Sequence, residues 1–336
     1  MSPMRIAALD FGTVTSRLMV ADVENAIVSP LIKKTTITHL GEGLAASGRI
    51  SEAAIKRLLE ATQAFLSEID SLNGGEALGF PPVSAIRAVA TSAMRDAKNS
   101  DEVADALAGI GVQLEVISGD QEARLNVEGT LSGFAAADLL GRTVLVIDVG
   151  GGSTELVIAR VDEIGKAPQI VMMSSLDIGA RRITDLWLKS DPPLLSELND
   201  ARDWLVLQTK AFLDDFKSSG LAIDQVFAVA GTPTTLVAIR DKLAVYDPSH
   251  VHGQVVTLQQ WQTVFDKLSA MPLQQRSQVV GLEPERAPIM VGGIMILDHI
   301  MHALELPKVT VSESDILQGV LLDTWRQSAS PSPSIP

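Results

Sequence analysis

An apolar strand that ends in aspartate and turns on three glycines occupies Thr143-Val144-Leu145-Val146-Ile147-Asp148-Val149-Gly150-Gly151-Gly152-Ser153-Thr154-Glu155-Leu156. Glycine lets a backbone turn sharply and come close to a ligand, and the amide groups of the turn can then point at phosphate oxygens. An aspartate at the end of the strand can hold a cation beside them. The segment therefore predicts a turn that binds phosphate.

A similar pattern lies near the start of the chain, in Ile6-Ala7-Ala8-Leu9-Asp10-Phe11-Gly12-Thr13-Val14-Thr15-Ser16-Arg17. The first turn is followed by predicted strands at residues 18–23 and 27–37, and the second by predicted strands at 156–161 and 169–175. Alternating helices and strands follow in both halves. This recurrence predicts an α/β fold of two similar lobes that face each other across a cleft.

Helix signals divide the chain further. An amphipathic helix follows Ser51 and is expected to end at Gly74-Gly75. We place the domain boundary at Asn126 to Val127, so that residues 1–126 plus 312–327 form the first lobe and 127–311 the second. A last helix, predicted over residues 313–325, would return to the first lobe. The tail at 328–336 is rich in proline and serine, which predicts disorder.

Composition excludes several classes of protein. A length of 336 residues favours two domains, and the absence of cysteine excludes disulfides and thiolate chemistry. A net charge of -14 argues against binding to nucleic acid or to anionic membranes, which depends on broad positive fields. No secretory signal or segment long enough to span a bilayer is evident, so we expect a soluble, cytoplasmic protein.

Beyond the two turns, six further motifs occur in order along the chain. Together they resemble the exopolyphosphatase and guanosine pentaphosphate phosphohydrolase (Ppx/GppA) family, in the superfamily of actin, sugar kinases and heat-shock chaperone ATPases. The resemblance implies two ribonuclease H-like lobes with an interdomain cleft. The motifs are Leu40-Gly41-Glu42-Gly43, Ala90-Thr91-Ser92-Ala93-Met94-Arg95, Ser118-Gly119-Asp120-Gln121-Glu122-Ala123-Arg124, Ser175-Leu176-Asp177-Ile178-Gly179-Ala180, Ala230-Gly231-Thr232-Pro233-Thr234-Thr235 and Val251-His252-Gly253.

The resemblance implies a hydrolase of phosphoric anhydrides. Its substrate would be inorganic polyphosphate, from which it releases terminal phosphate, or guanosine pentaphosphate, which it converts to the tetraphosphate. Glu122 matches the family's catalytic glutamate, a general base on the attacking water, and Arg95 would stabilise the transferred charge. A glutamate near a helix N-terminus and a structural arginine are the alternative interpretations. A homodimer is expected from the family alone.

The residues around the two turns suggest a site for magnesium and phosphate. Asp148 and Glu155 flank the glycines and are expected to bind Mg²⁺, with Asp10 as an outer-sphere partner; a solvated strand residue is the alternative for Glu155. A third turn, at Gly231 and Thr232, either touches phosphates or closes the second lobe. The remaining predicted phosphate-binding residues are Thr13, Thr15, Arg17, Gly150, Gly151, Gly152 and Ser153.

Two positions depart from the family pattern. Val14 stands where the family usually has asparagine, and Gln121 stands where it has an acidic residue. The loss of a side-chain amide at Val14 motivates a second hypothesis, a weakly catalytic or non-catalytic sensor that binds polyphosphate or guanosine tetraphosphate in the same cleft. A sugar kinase or ATPase is a third option, against which the motif around Glu122 counts. His252 is assigned no catalytic role.

Overall fold

The computed structural model describes residues 3–73, 81–163 and 166–329. Its first sheet has the strand order β3-β2-β1-β4-β5. The first three strands form an antiparallel meander, and β4 and β5 run parallel to β1. The strands are β1 (Met4–Phe11), β2 (Thr15–Glu24), β3 (Ile27–Ile37), β4 (Ala85–Ala90) and β5 (Leu114–Val116).

The second sheet repeats this plan. Its order is β10-β11-β9-β6-β7-β8, with an antiparallel meander from β6 to β8 and the parallel strand β9 on the other side of β6. The two mixed sheets with their helices confirm the predicted α/β fold. The strands are β6 (Thr143–Val149), β7 (Thr154–Arg160), β8 (Gln169–Leu176), β9 (Gln225–Val229), β10 (Val255–Thr257) and β11 (Lys308–Val311).

Helices cover both sheets. We call the first sheet with its helices lobe I and the second sheet with its helices lobe II. The helices are α1 (Leu44–Ser47), α2 (Glu52–Asn73), α3 (Ser92–Asp96), α4 (Ser100–Ala108), α5 (Gly119–Ser132), α6 (Ala136–Leu139), α7 (Ala180–Trp187), α8 (Leu195–Ser219), α9 (Gly231–Asp241), α10 (Pro248–Val251), α11 (Leu258–Ser269), α12 (Leu273–Arg276), α13 (Met290–Ala303) and α14 (Ile316–Ala329). None of these helices has the length and apolar character that crossing a bilayer requires.

Helix α5 joins the two lobes. Its Leu125 packs with α14 and the first sheet, whereas Ala123 and Val127 pack on the second sheet. Gly129 lies so close to the backbone of Asp315 that a Cβ there would collide with it. The chain therefore crosses between lobes within a continuous helix, and the domain boundary at Asn126 to Val127 stays a prediction.

The ends of two helices differ from the prediction or lie beyond what the structure describes. Helix α14 begins at Ile316 rather than at residue 313, because Asp315 caps it: Asp315 Oδ1 accepts from the Leu317 amide at 3.0 Å, and Gln318 Oε1 accepts from the Asp315 amide at 2.9 Å. It continues through Ala329, so the first two residues of the predicted disordered tail are helical. Residues 330–336, and the predicted helix end at Gly74-Gly75, lie outside the described residues.

Candidate active site

The two glycine turns have the same backbone geometry. In lobe I the Gly12 amide donates to the Thr15 carbonyl at 2.9 Å, and in lobe II the Gly150 amide donates to the Ser153 carbonyl at 3.0 Å. Each bond closes a four-residue turn between two antiparallel strands. The repeat predicted from the sequence thus includes the same backbone hydrogen bond in each turn.

The tips of the two turns touch each other. A Cβ on Gly151 would lie 2.5 Å from Val14 Cγ2, and one on Gly152 would lie 2.6 Å from Thr13 Oγ1. Real Cβ atoms do not approach other heavy atoms this closely. The contact between the lobes therefore favours glycine at positions 151 and 152.

Two acidic side chains lie side by side next to the second turn. Asp148 and Glu155 are directly opposite each other in the β6–β7 pair, so their side chains share one face of the sheet. Glu155 is only 1% exposed, which shows that the solvated-strand interpretation is wrong. Ser175 Oγ donates to Glu155 Oε1 at 2.8 Å, and Glu155 Oε2 has no hydrogen-bond partner among the described residues.

Glu122 lies in the first turn of α5 and points inward. The helix begins with a capping box, in which Ser118 Oγ accepts from the Gln121 amide at 3.2 Å and Gln121 Oε1 accepts from the Ser118 amide at 2.9 Å. Gln121 is exposed, so this departure from the family pattern serves the helix cap. Glu122 is buried, and its Oε2 accepts a hydrogen bond from Arg95 Nη1 at 2.7 Å.

These buried carboxyl groups hold their protons unusually tightly. Burial raises the pKa of Glu122 to about 7, although Arg95 acts in the opposite direction. Burial, together with repulsion from Glu122, raises the pKa of Asp148 to about 8. Burial also raises the pKa of Glu155 well above its usual value, even though the hydroxyl groups of Ser175 and Ser153 favour its ionised form. The three groups form an acidic site with little solvent to stabilise its charge.

A buried ion-pair cluster lies beside them. Arg17 Nη2 donates to Asp10 Oδ2 at 2.6 Å, and Arg17 Nη1 donates to Asp315 Oδ2. Burial raises the pKa of Asp10, whereas at Asp315 the attraction of Arg17 and other donors outweighs burial and lowers the pKa. The guanidinium predicted to bind phosphate is thus already held between two carboxylates, and its role toward substrate stays a prediction.

A cavity between the lobes brings most of the predicted residues together. We call it the substrate cavity. Among the predicted residues its lining includes Asp10, Thr15, Arg17, Glu122, Asp148, Gly150, Gly151, Gly231 and Thr232. Thr13 and Gly152 border a second cavity instead. Arg95, Ser153 and Glu155 lie behind the lining, where Arg95 holds Glu122 and the Ser153 hydroxyl faces Glu155.

The sequence profile of the Ppx/GppA phosphatase family matches residues 19–328. The chain belongs to this family. It is 33% identical to exopolyphosphatase 2 of Mycobacterium tuberculosis over 96% of this chain and 99% of that protein. It is 27% identical to guanosine-5'-triphosphate,3'-diphosphate pyrophosphatase of Aeromonas salmonicida over 94% of this chain and 58% of that protein. The crystal structure of the Aquifex aeolicus family member, 28% identical, has a TM-score of 0.76 and covers 98% of this chain and 99% of that one.

Several residues that line the substrate cavity lie outside the motifs of the Ppx/GppA family. Its more exposed part is lined by Lys33 and Tyr246, both of which donate hydrogen bonds to the Glu313 side chain, the first at 2.9 Å. Arg286 lies beside the Gly231 backbone. These residues, like Asp315, were not predicted. Their only signal in the sequence is polar character, and Lys33 and Tyr246 have a partner that is far away in the chain.

Proposed function

We propose that this protein is a magnesium-dependent phosphohydrolase that releases terminal phosphate from inorganic polyphosphate, from guanosine pentaphosphate, or from both. The observation that carries the proposal is a buried carboxyl, Glu122, that lines a cavity together with the backbone of two glycine turns. The names of the relatives from M. tuberculosis and A. salmonicida support the two substrates. Cytoplasmic location and a homodimer stay predictions.

Glu122 is suited to be the general base. Its pKa of about 7 means that an ionised carboxylate is available at neutral pH yet still accepts a proton readily. Arg95 holds the Oε2 atom of Glu122, which lines the cavity in which the attacking water would lie. The water oxygen attacks the terminal phosphorus, the bridging P–O bond breaks toward the remaining chain, and Glu122 takes the water proton.

Backbone amides are suited to bind the phosphate oxygens. The turns at Gly150 and Gly12 line the cavity, and so does the N-terminal turn of α9 at Gly231 and Thr232. The N-terminal amides of a helix have no partner within the helix, so they favour an anion. These donors approach from both lobes, which means that closing the cleft brings them onto one phosphate.

Buried carboxyl oxygens beside the substrate cavity are suited to hold a magnesium ion partly through water. Asp10 Oδ1 and Glu155 Oε2 are buried without hydrogen-bond partners among the described residues, and Asp148 lines the cavity next to them. Hard oxygen donors of this kind suit Mg²⁺. No three acidic or histidine side chains of the described ranges converge on one point, so the ion would keep several waters. When bound, it would neutralise charge on the phosphate chain.

The experiment compares phosphate release from polyphosphate and from guanosine pentaphosphate in the presence of Mg²⁺. Glu122→Gln is expected to lower kcat about a hundredfold or more, since it removes the base. Asp120→Asn is the matched control, because Asp120 is exposed in the same first turn of α5 and tests the effect of the helix dipole alone. Equal, measurable rates in the wild type and Glu122→Gln would refute the role of Glu122 as the base, and no release by the wild type would refute the hydrolase proposal.

A second candidate function is a sensor that binds the same anions without turnover. It is favoured by Val14, which packs with Ala180 and Ile289 of lobe II. Unlike asparagine, Val14 presents no side-chain amide to the cavity. The same substrate panel separates the two functions. Binding of guanosine tetraphosphate or polyphosphate by calorimetry, with no phosphate released by the wild type, would favour the sensor.

A further inference from the structure

A second cavity lies on the far side of the two glycine turns. We call it the rear cavity; it is bordered by Ala45, Ser92, Asp96, Gly152, Arg181 and Arg182. Gly151 lines both cavities, Gly12 and Val14 line the substrate cavity, and Thr13 lines the rear one. The tips of the two turns are therefore the wall between the cavities.

This wall is thin and is made by both lobes. Thr13 and Val14 come from lobe I, and Gly151 and Gly152 come from lobe II. A Cβ atom on Gly151 would lie 3.0 Å from Thr13 Cβ. The two cavities are thus separated by the contact between Thr13 and Val14 of lobe I and Gly151 and Gly152 of lobe II.

The rear cavity offers donors to an anion. The Ser92 hydroxyl is 2% exposed and has no hydrogen-bond partner among the described residues. Arg182 Nε donates to the Gly152 carbonyl at 2.9 Å, and its Nη2 donates to Asp96. Arg181 pairs with Asp185 at 2.8 Å. Guanidinium groups that are already paired with carboxylates bind a passing anion only weakly, which suits transit better than storage.

We propose, on the basis of the hydrolase function above, that the rear cavity is the exit for orthophosphate. The terminal phosphate of a bound chain lies against the glycine turns, and the rest of the chain fills the substrate cavity in front of it. After hydrolysis the shortened chain still blocks the front. Release through the wall lets orthophosphate leave while the chain stays bound and advances by one unit.

The absence of cysteine from this chain allows a reversible test. Ala45→Cys places one thiol on α1 at the rear cavity, and Ala46→Cys places one on the next residue, which is also exposed but does not line it. Each folded variant is modified with a bulky aromatic disulfide, which forms a mixed disulfide with the cysteine and releases one aromatic thiol, and a reductant removes the block. Because modification follows folding, a failure to fold does not confuse the result.

Two signals are recorded with polyphosphate and Mg²⁺. Acid-quenched samples report phosphate formed, and a fluorescent phosphate sensor reports phosphate that has left the enzyme. For blocked Ala45→Cys we expect unchanged formation in the first turnover and release slowed about tenfold, because release then limits turnover. Reductant restores release, and Ala46→Cys is unaffected. We also expect the blocked enzyme to leave polyphosphate products of several intermediate chain lengths.

The possible failures are distinguishable. Normal formation and normal release by blocked Ala45→Cys overturn the exit alone. Equal slowing in both modified variants also overturns it, since the block would then act through α1 rather than through the cavity. Quenched wild-type samples without phosphate overturn the hydrolase proposal, and the exit falls with it.

Discussion

Arg95 controls Glu122 through a single hydrogen bond. Arg95 favours the ionised carboxylate, while burial favours the protonated one. Arg95→Met is therefore expected to raise the Glu122 pKa above about 7. The base acts when ionised, so kcat at pH 7 falls and the acid limb of the kcat profile moves to higher pH. Arg124→Met, exposed on α5, is the control. A lower kcat with an unmoved acid limb would mean that Arg95 acts on the substrate directly.

Arg17 neutralises two buried carboxylates, and replacing it tests how much this pairing contributes to the free energy of unfolding. Arg17→Met leaves Asp10 and Asp315 buried without a counter-charge, which is expected to lower the free energy of unfolding by about 3–5 kcal/mol. Arg49→Met breaks an exposed pair with Glu102 and is expected to cost about 1 kcal/mol or less. Urea unfolding measures both. Equal losses would show that the cluster is no more important to stability than a surface ion pair.

At the scale of elements, what could be predicted was local. The strand-turn-strand repeat follows from short apolar runs that end in aspartate and glycine, so both meanders and the pairing of Asp148 with Glu155 were within reach of the sequence. Asp315 was not, because its partner Arg17 is 298 positions away and no short motif marks the contact. The capping role of Gln121 was hidden for another reason: a family comparison reads the position as a site residue, whereas local helix chemistry explains it.

The contact between the two glycine turns gives a prediction about closure. Gly151→Ala places a Cβ against Val14 Cγ2, so the lobes cannot close fully. We expect kcat/KM to fall about a hundredfold, since misplacement of the donors by about 1 Å is enough. Val14→Ala in the same chain is expected to recover part of the loss, because it removes the methyl group that collides.

Gly109→Ala is the control, because Gly109 has no positive φ and the nearest atom to an added Cβ would be 3.4 Å away. Additive effects of the two site changes would argue against the collision.

At the scale of the whole molecule, an acidic protein binds a polyanion only if the charge is arranged locally. The net charge of -14 excludes a broad positive surface, and the cavity between the lobes instead combines backbone amides with buried acids that a cation can neutralise. The sequence predicted the existence of this cleft because the repeat implies two facing lobes. It could not predict how closely the lobes meet, since that depends on Val14, Ala180 and Ile289 from distant segments.

The same acids make stability depend on pH and magnesium together. In the metal-free protein the pKa of Glu122 is raised to about 7 and that of Asp148 to about 8, so their contribution to stability is fully present below pH 4 and is lost as the pH rises to 8. Mg²⁺ is proposed to bind ionised Asp148, so its stabilisation is expected to grow over the same range. Urea midpoints at pH 5, 6.5 and 8, with chelator or with Mg²⁺, measure both trends. Asp148→Asn is expected to weaken the pH dependence of both the stability and the magnesium effect. A magnesium effect that is equal at all three pH values would show that Asp148 does not bind the metal.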